Sequence, residues 1–434
     1  MQIAIVNQPF DTVLASEEQR GSVAIVNWEL GRELCKRHEV IQWAAAAGGQ
    51  PEHESWGRQR IRRIPFALRR LHKIVDLIQG RLSRGDPYMS HDLFYRDYGV
   101  RVAQAMASER PDVVFVSTIS QYGPILRQAL PHTRLVLHVH GDELEYFDAA
   151  KTLSRLQAFD AVVTVSEFVS QALRKRFPHY RGSITTIRNG VDIQRFKPIE
   201  TTAPAPRKQL LFVSRVSPDK GVHVLVRAFE RLVHARDDVE LHIVGKPGLL
   251  GLGFMRLHFD DPIVAELEDY YGRGILNALR KEILGQRNSY IDSICRDLTP
   301  QVSKRLIWRG TVSLEELVAS YSRASVFVLP SLWKETFGIP IVEAMACGVP
   351  VIASRCGGIP EIVVEDVTGH LVERGDVDAL TRTMRDMLAD TECAKDMGRA
   401  GRDRVAREFT WAHASARLED VLLQLTASRQ HAHS

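Results

Sequence analysis

The sequence predicts two parallel α/β domains in tandem, and three observations carry that reading. The chain has 434 residues, too many for one ordinary core and enough for two domains of about 200 residues each. Strand-like and helix-like hydrophobic periods alternate through most of it, which is the pattern of βαβ layers. The composition breaks once, at FKPIETTAPAPRKQ (196–209), where Pro and Thr replace apolar residues as they do in linkers between domains.

The strands of the first half are expected at QIAIV (2–6), HEVIQW (38–43), DVVFVS (112–117), RLVLHVH (134–140), AVVTVS (161–166) and SITTI (183–187), with a helix from about Ser22 to Arg37. The second half restarts with LLFVS (210–214), a helix near Val222 to Val233, VELHIVG (239–245), RLIWRG (305–310), SVFVLPS (325–331), PVIAS (350–354) and GHLVE (369–373). These elements give an N-terminal domain over 1–199, a second domain over 208–408 and a C-terminal helical segment over 409–434. Sheets of this doubly wound, Rossmann-like kind bind ligands beyond the carboxyl ends of their strands, so a cleft between the two domains is the expected site.

Two segments break the alternation. Residues 57–87 place Ile64, Leu68, Leu71, Val75 and Ile78 on one stripe with Arg62, Arg63, Arg69, Arg70 and Lys73 around it. That pattern reads as one amphipathic helix with a basic face. Such a helix either packs on the sheet with a solvated outer face or touches a membrane surface or an anionic acceptor. Residues 247–303 are too long for a loop in a compact domain. Helical spacing at Ile263, Leu267, Ile275, Leu276 and Leu279 makes them a helical insertion in the second domain. An oligomer contact, a lid and a plain excursion are open readings of it.

Composition bounds the function. At 44% hydrophobic and 25% charged, the chain reads as a globular protein. No run approaches the roughly 18–20 apolar residues of a membrane span, and Met1 leads straight into a strand without a basic leader. The five cysteines are odd in number and lack C-x-x-C spacing, so no disulfide framework or zinc site is indicated and a cytoplasmic location is expected. A net charge of +4 gives no electrostatic case for nucleic acid. The excess of Arg over Lys points to a GC-rich bacterial genome.

The chemistry concentrates in WKETFGIPIVEAMACGVPVIAS (333–354), where Glu335 and Glu343 flank a Phe-Gly-Ile-Pro turn. Pro340 suits the start of a helix because the N–H it lacks would be unpaired there. The amides of that first turn, with the positive end of the helix dipole, form an anion site for which phosphate is the natural guest. Gly338 lets a ligand approach the backbone. Two carboxylates beside a phosphate suit the hydroxyls of two sugars, a ribose and a transferable hexose. Cationic partners stand on the loop after LLFVS, at Arg215 and Lys220 in RVSPDKG, where they could neutralise a departing diphosphate in place of a metal. Each residue also has a structural reading: a first-turn acid on the helix dipole for Glu343, a loop carboxylate for Glu335, an ion pair with Asp219 for the cations. The D-x-D at 376–378 stands at a helix start and reads as an N-cap at Asp376, not a metal site.

Together, SRVSPDKGVHVLVRAF, LHIVG, LIWRGTV, VFVLPSLWKETFGIPIVEAMACGVPVIAS and GGIPEIV…TGHLV resemble the retaining GT-B glycosyltransferases of family 4, including their E-x7-E motif at Glu335 and Glu343. VVTVSEFV and NGVDIQRFKP resemble the same family's interdomain region. The resemblance spans the chain and is most specific from Leu210 to Val372. It implies two Rossmann-like domains facing a cleft, with the C-terminal helix crossing back onto the first. It also implies metal-independent transfer, with retention, from a UDP-hexose or UDP-N-acetylhexosamine to an acceptor hydroxyl: a saccharide, a small natural product or a lipid-linked sugar. No cofactor or metal is implied. Arg215 and Lys220 match the pair that holds the donor diphosphate, and Glu335 the acid on the transferred sugar. Thr336, Phe337, Gly338 and Ile339 match the backbone cradle, Glu343 the acid on the ribose, and Gly310 falls in a donor-side motif. His140 matches the histidine lining the sugar pocket; His138 is its competitor, only one of the two being expected to face the cleft. Gly21 and Ser22 stand where the family has paired glycines, here with Ser second, and Asp142 is a further acceptor-side candidate. A nucleotide-sugar 2-epimerase and a non-catalytic binding protein on the same fold are the alternatives.

Overall fold

The computed structural model describes residues 1–16, 19, 21–82, 86–199, 207–271 and 289–430. They form two compact units, Met1–Gly190 with Trp411–Ser434, and Val191–Thr410. In the first unit an eight-stranded sheet runs in the order β3-β4-β2-β1-β5-β6-β7-β8. Its strands are β1 Gln2–Val6, β2 Glu39–Ala45, β3 His53–Trp56, β4 Gln59–Ile64, β5 Val113–Ser117, β6 Arg134–Val139, β7 Ala161–Thr164 and β8 Ser183–Thr186. All neighbours are parallel except β3 and β4. The apolar runs of β1, β5, β6 and β7 are buried along nearly their whole lengths, as a sheet covered on both faces requires. The helix Trp411–Gln430 packs on the helix Ser22–Leu34 of this unit, and Glu419 accepts from His38 at 2.8 Å.

The second unit has a six-stranded parallel sheet in the order β11-β10-β9-β12-β13-β14. Its strands are β9 Lys208–Val213, β10 Val239–Val244, β11 Leu306–Gly310, β12 Val326–Leu329, β13 Val351–Ser354 and β14 Gly369–Val372. The chain winds outward from β9 to β11, then restarts at β12 on the other side of β9. The order therefore reverses between β9 and β12, and the loops leaving those two strands emerge side by side. In the first sheet the same reversal lies between β1 and β5.

Several sequence expectations need correction. Residues 57–87 are not one helix: 59–64 is strand β4, paired parallel with β2 and antiparallel with β3, and the helix spans Arg69–Leu82. The burial of Gln59, Ile61 and Arg63 follows period two, a signal hidden by the arginines between them. Buried Arg63 donates to the carbonyls of Pro51 and Val13 and pairs with Glu54, so its charge is compensated as burial demands. The expected linker loses both ends. Phe196 is buried and packs on Tyr321, Lys208 and Gln209 begin β9, and 200–206 lie outside the described residues. Of the insertion, 272–288 and with them Ile275, Leu276 and Leu279 lie outside the described residues; Leu252–Arg256, Pro262–Ala265, Ser289–Cys295 and Pro300–Ser303 are helical.

Candidate functional site

β9 delivers Ser214 and Arg215 into a loop that tightens into a one-turn 3-10 helix, Pro218–Lys220. Gly221 then turns with φ 69° and opens the helix Val222–Ala235. A Cβ at Gly221 would lie 1.9 Å from the Pro330 carbonyl oxygen, so only glycine allows this turn to lie against the segment that leaves β12. Backbone bonds fasten the two loops: the Leu332 N–H donates to the Asp219 carbonyl at 2.8 Å.

That juxtaposition brings together three residues picked from sequence. The Lys220 ammonium donates to Glu335 Oε1 at 2.5 Å, with side chains only 12% and 9% exposed. Ser331, fully buried, donates its hydroxyl to the same oxygen at 2.5 Å. Arg215 Nη2 donates to Asp219 Oδ2 at 2.8 Å and its Nε to the Ser217 hydroxyl at 3.2 Å. The ion pair with Asp219 that a plain turn would make is thus present. Asp219 is 0% exposed, however, and a carboxylate there needs its cation. Each cation therefore stands beside an acid that fixes its position, and the local charge is balanced.

Glu335 is held from behind as well. Gly357, φ 55°, lies so close that a Cβ would sit 1.9 Å from the Glu335 carbonyl oxygen, and the Gly358 N–H donates to that oxygen at 2.7 Å. Beyond Glu335 the chain passes Thr336 and Phe337, whose ring is buried against Phe409, to Gly338 with φ 114° as N-cap of the helix Ile339–Ala346. Pro340 is its second residue and has no N–H, and the Ile341 N–H turns to the Gly338 carbonyl at 2.9 Å. The first-turn donors for an anion are then the amides of Gly338 and Ile339. Gly310 ends β11 with φ 65°, and its carbonyl accepts from the Gly245 N–H at 2.8 Å.

Glu343 is the fifth helical residue, not a first-turn acid as expected, so the helix N-terminus does little for it. Tyr321 donates its hydroxyl to Glu343 Oε2 at 2.8 Å. Burial nevertheless pushes the Glu343 carboxyl up to about 7, the Tyr321 bond pulling weakly the other way. With a folded pKa above the ordinary 4.5, stability from this group is fully present below about 4.5 and is lost as pH rises to about 7. Glu343→Gln is therefore expected to raise Tm at pH 8, by at most about 3 kcal/mol of stability, and to leave it unchanged at pH 4. A melting shift of equal size at both pH values contradicts this.

In the first unit Gly21, φ 97°, is the N-cap of the helix whose first residue is Ser22, and its neighbour across the turn is Asp11. Burial pushes the Asp11 carboxyl up to about 7 against the pull of Arg69. His138 and His140 are not separated by alternation, because residues two apart share a face of a strand. Their rings touch, with centroids 3.9 Å apart. Burial lowers both, His140 to about 3, so each imidazole is neutral near pH 7. Asp142 is buried at the N-terminal end of the turn Glu143–Tyr146.

Asp376 caps the helix Val377–Ala389 by accepting from the Ala379 N–H at 2.8 Å. Among the described residues, Glu365, Asp366 and His370 are the group whose donor atoms converge as a metal site would need. Arg355 already pairs with Glu365 there at 2.5 Å.

Sequence reasoning overlooked Ser331, Trp333, Tyr321 and Gly357. Gly357 stands in a stretch already singled out, whereas nothing in the sequence links Tyr321 to a glutamate 22 positions on.

A buried acid–ammonium pair at the switch point of a parallel sheet, followed by a helix N-terminus, is an arrangement suited to an anionic ligand. The chain matches the family model "Glycosyl transferases group 1" over 194–261 and 277–404 and "Glycosyltransferase Family 4" over 23–195. It is 31% identical over 327 residues, 71% of this chain and 74% of the other, to the GDP-mannose-dependent alpha-(1-6)-phosphatidylinositol monomannoside mannosyltransferase of Mycolicibacterium smegmatis. It is 24% identical to the lipopolysaccharide 1,2-N-acetylglucosaminetransferase of Salmonella typhimurium, over 95% of this chain and 96% of that one. The fold matches sucrose-phosphate synthase from Thermosynechococcus elongatus with a TM-score of 0.70 at 22% identity, covering 98% of this chain and 99% of that one. The chain belongs to the family 4 glycosyltransferases of the GT-B fold.

Proposed function

We propose that this glycosyltransferase moves a sugar from a nucleoside-diphosphate sugar to an acceptor hydroxyl with retention and without a metal, and that the loops after β9 and β12 hold the donor. The observation that carries the proposal is the buried contact of Lys220 with Glu335 beside the Arg215–Asp219 pair. An ammonium and a guanidinium positioned by acids can turn to a diphosphate without reorganising the backbone, and donors aimed at developing charge contribute most to such a reaction. As the glycosidic bond stretches toward an oxocarbenium-like state, Arg215, Lys220 and the amides of Gly338 and Ile339 stabilise the departing phosphate oxygens. Glu335, released from Lys220 by the phosphate, accepts from hydroxyls of the transferred sugar, and Glu343 from those of the ribose. The leaving phosphate oxygen takes the acceptor's proton on the same face, so no separate protein base is assigned. His140, neutral near pH 7, serves as a hydrogen-bond partner for a sugar hydroxyl, not as a cation.

The UDP sugar expected from the resemblance stands beside GDP-mannose, the donor in the name of the mycobacterial relative; the proposal extends to both nucleotides. The test is incubation with UDP- and GDP-sugars in EDTA with simple acceptors, following released nucleoside diphosphate and the anomeric coupling of the product. An α-linked product from an α-linked donor supports retention, and an inverted anomer refutes it. Without acceptor, a 2-epimerase would instead yield a new nucleotide sugar.

A lipid-linked acceptor is favoured by the helix Arg69–Leu82, whose outward face is its apolar one. Leu71, Ile74 and Leu82 are 54%, 40% and 74% exposed, and Leu68, just before the helix, is 45% exposed. Arg70 and Lys73 are exposed beside them. No helix among the described residues is long and apolar enough to cross a membrane, so this face is proposed to lie in the interface of an anionic bilayer. The protein is expected to sediment with vesicles containing phosphatidylglycerol and not with neutral ones, and Leu71→Ser with Ile74→Ser to reduce binding several-fold. Equal binding by the variant contradicts the assignment.

A further inference from the structure

The insertion between β10 and β11 is built onto the donor loops. Its first residues are zipped to the loop that carries Arg215: the Val216 N–H donates to the Lys246 carbonyl at 3.0 Å, and the Gly248 N–H donates back to Val216 at 3.3 Å. Its first helix, Leu252–Arg256, sets the Phe254 ring edge-on against Trp333, with centroids 5.6 Å apart. His258, 2% exposed, adds a second ring 5.9 Å from Trp333. Asp261 grips Arg374 at 2.6 Å, and Arg374 in turn donates to the Leu332 carbonyl at 2.8 Å. The 3-10 turn Glu266–Tyr271 then packs on Pro218–Lys220.

What this scaffold holds in place is the Trp333 ring, and over that ring sits the Lys220 ammonium, 4.9 Å from the centroid. A cation partly removed from water over an indole face is held there by the ring quadrupole. Glu335, itself held by the Ser331 hydroxyl, fixes Lys220, and the indole face lies against the same ammonium.

We infer that residues 247–261 of the insertion form a buttress that positions Lys220 for a nucleoside diphosphate, with Phe254 and His258 setting the Trp333 ring on which the ammonium rests. This rests on the donor-site reading above. It gives the insertion a part in donor binding, where the sequence left an oligomer contact, a lid and an excursion open. Trp333 is a positioning residue acting through Lys220.

The test is calorimetric titration of UDP and GDP into the full-length protein and its variants. Lys220→Met is expected to weaken binding of the preferred nucleotide at least tenfold, and Phe254→Leu and His258→Leu each about five- to tenfold. Trp333→Phe, which keeps a ring face, should retain most of the affinity that Trp333→Leu loses. The discriminating measurement is the double variant. If the buttress works through Lys220, Phe254→Leu adds little once Lys220→Met is present, whereas an independent structural defect adds in full. Tight binding by the wild type that Lys220→Met leaves intact overturns the donor reading itself. If Lys220→Met weakens binding but Phe254→Leu and His258→Leu leave it unchanged, or weaken it by the same factor in both backgrounds, the buttress is overturned and the donor reading stands. Trp333→Phe also keeps the question answerable if Trp333→Leu fails to fold.

Discussion

Lys220→Ala is expected to lower kcat/KM by about a hundredfold or more, and Arg215→Ala by about a hundredfold, because on the proposed mechanism each removes a donor aimed at the departing diphosphate. Lys220 carries the larger expected loss. Its ammonium also neutralises Glu335, whose side chain is 9% exposed, and truncation leaves that carboxylate buried without its cation. Arg215 stands in the same relation to Asp219, which is fully buried, so Arg215→Ala should also lower Tm. Arg215→Lys should restore Tm more than it restores turnover, since a point charge replaces the guanidinium against Asp219 but not the forked hold on phosphate proposed for it. Steady-state kinetics with the preferred nucleotide sugar, beside thermal melts, separates the two losses. Unchanged kinetics in both alanine variants would remove these residues from the reaction.

Gly357→Ala is expected to abolish most activity while adding a single methyl group. The added Cβ would lie 1.9 Å from the Glu335 carbonyl oxygen and 2.8 Å from its nitrogen. These are backbone atoms, which cannot turn aside as a flexible side chain can, and φ at this position is 55°. Either the turn Cys356–Gly358 or the Glu335 backbone must shift, and a displacement of about 1 Å at a substrate-positioning group costs on the order of a hundredfold. Strain of this kind also costs about 1–3 kcal/mol of stability. Gly375, which also has positive φ, has as its nearest neighbour only a Leu332 side-chain carbon at 3.9 Å. Gly375→Ala is the control, destabilising through its φ yet sparing kcat. Full activity in Gly357→Ala would show that the Glu335 backbone need not be held where it is.

Much of this was legible in the sequence because the strands carry it. Buried parallel strands such as VVFVS and VFVL are continuous apolar runs, and their ends mark where functional loops begin. Arg215, Lys220 and Glu335, which the structure brings together, could be singled out as candidates because they follow the ends of β9 and β12. β4, next to the first edge of the eight-stranded sheet, was illegible for the opposite reason. QRIRRI has two apolar residues in six, and its inward positions include Gln59 and Arg63, which satisfy buried hydrogen bonds instead of presenting a hydrophobic face. The same arginines, read together with the helix that follows, imitated a single helical stripe. The contacts of Tyr321 with Glu343 and of Trp333 with Phe254 and His258 join residues from different elements, and no local period encodes them. Glu343 shows a subtler limit: a carboxylate near a helix start suggests dipole stabilisation, but placement one turn further in makes burial the larger effect.

The central claim is that Arg215 and Lys220, without a metal, hold the donor's diphosphate. The most direct test is calorimetric titration of UDP and GDP, in the presence of EDTA, into the wild type and the Arg215→Ala, Lys220→Ala double variant. Saturable one-to-one binding to the wild type that disappears in a folded double variant is the predicted result. Equal binding by both proteins, or binding by the wild type only after a divalent cation is restored, would contradict it.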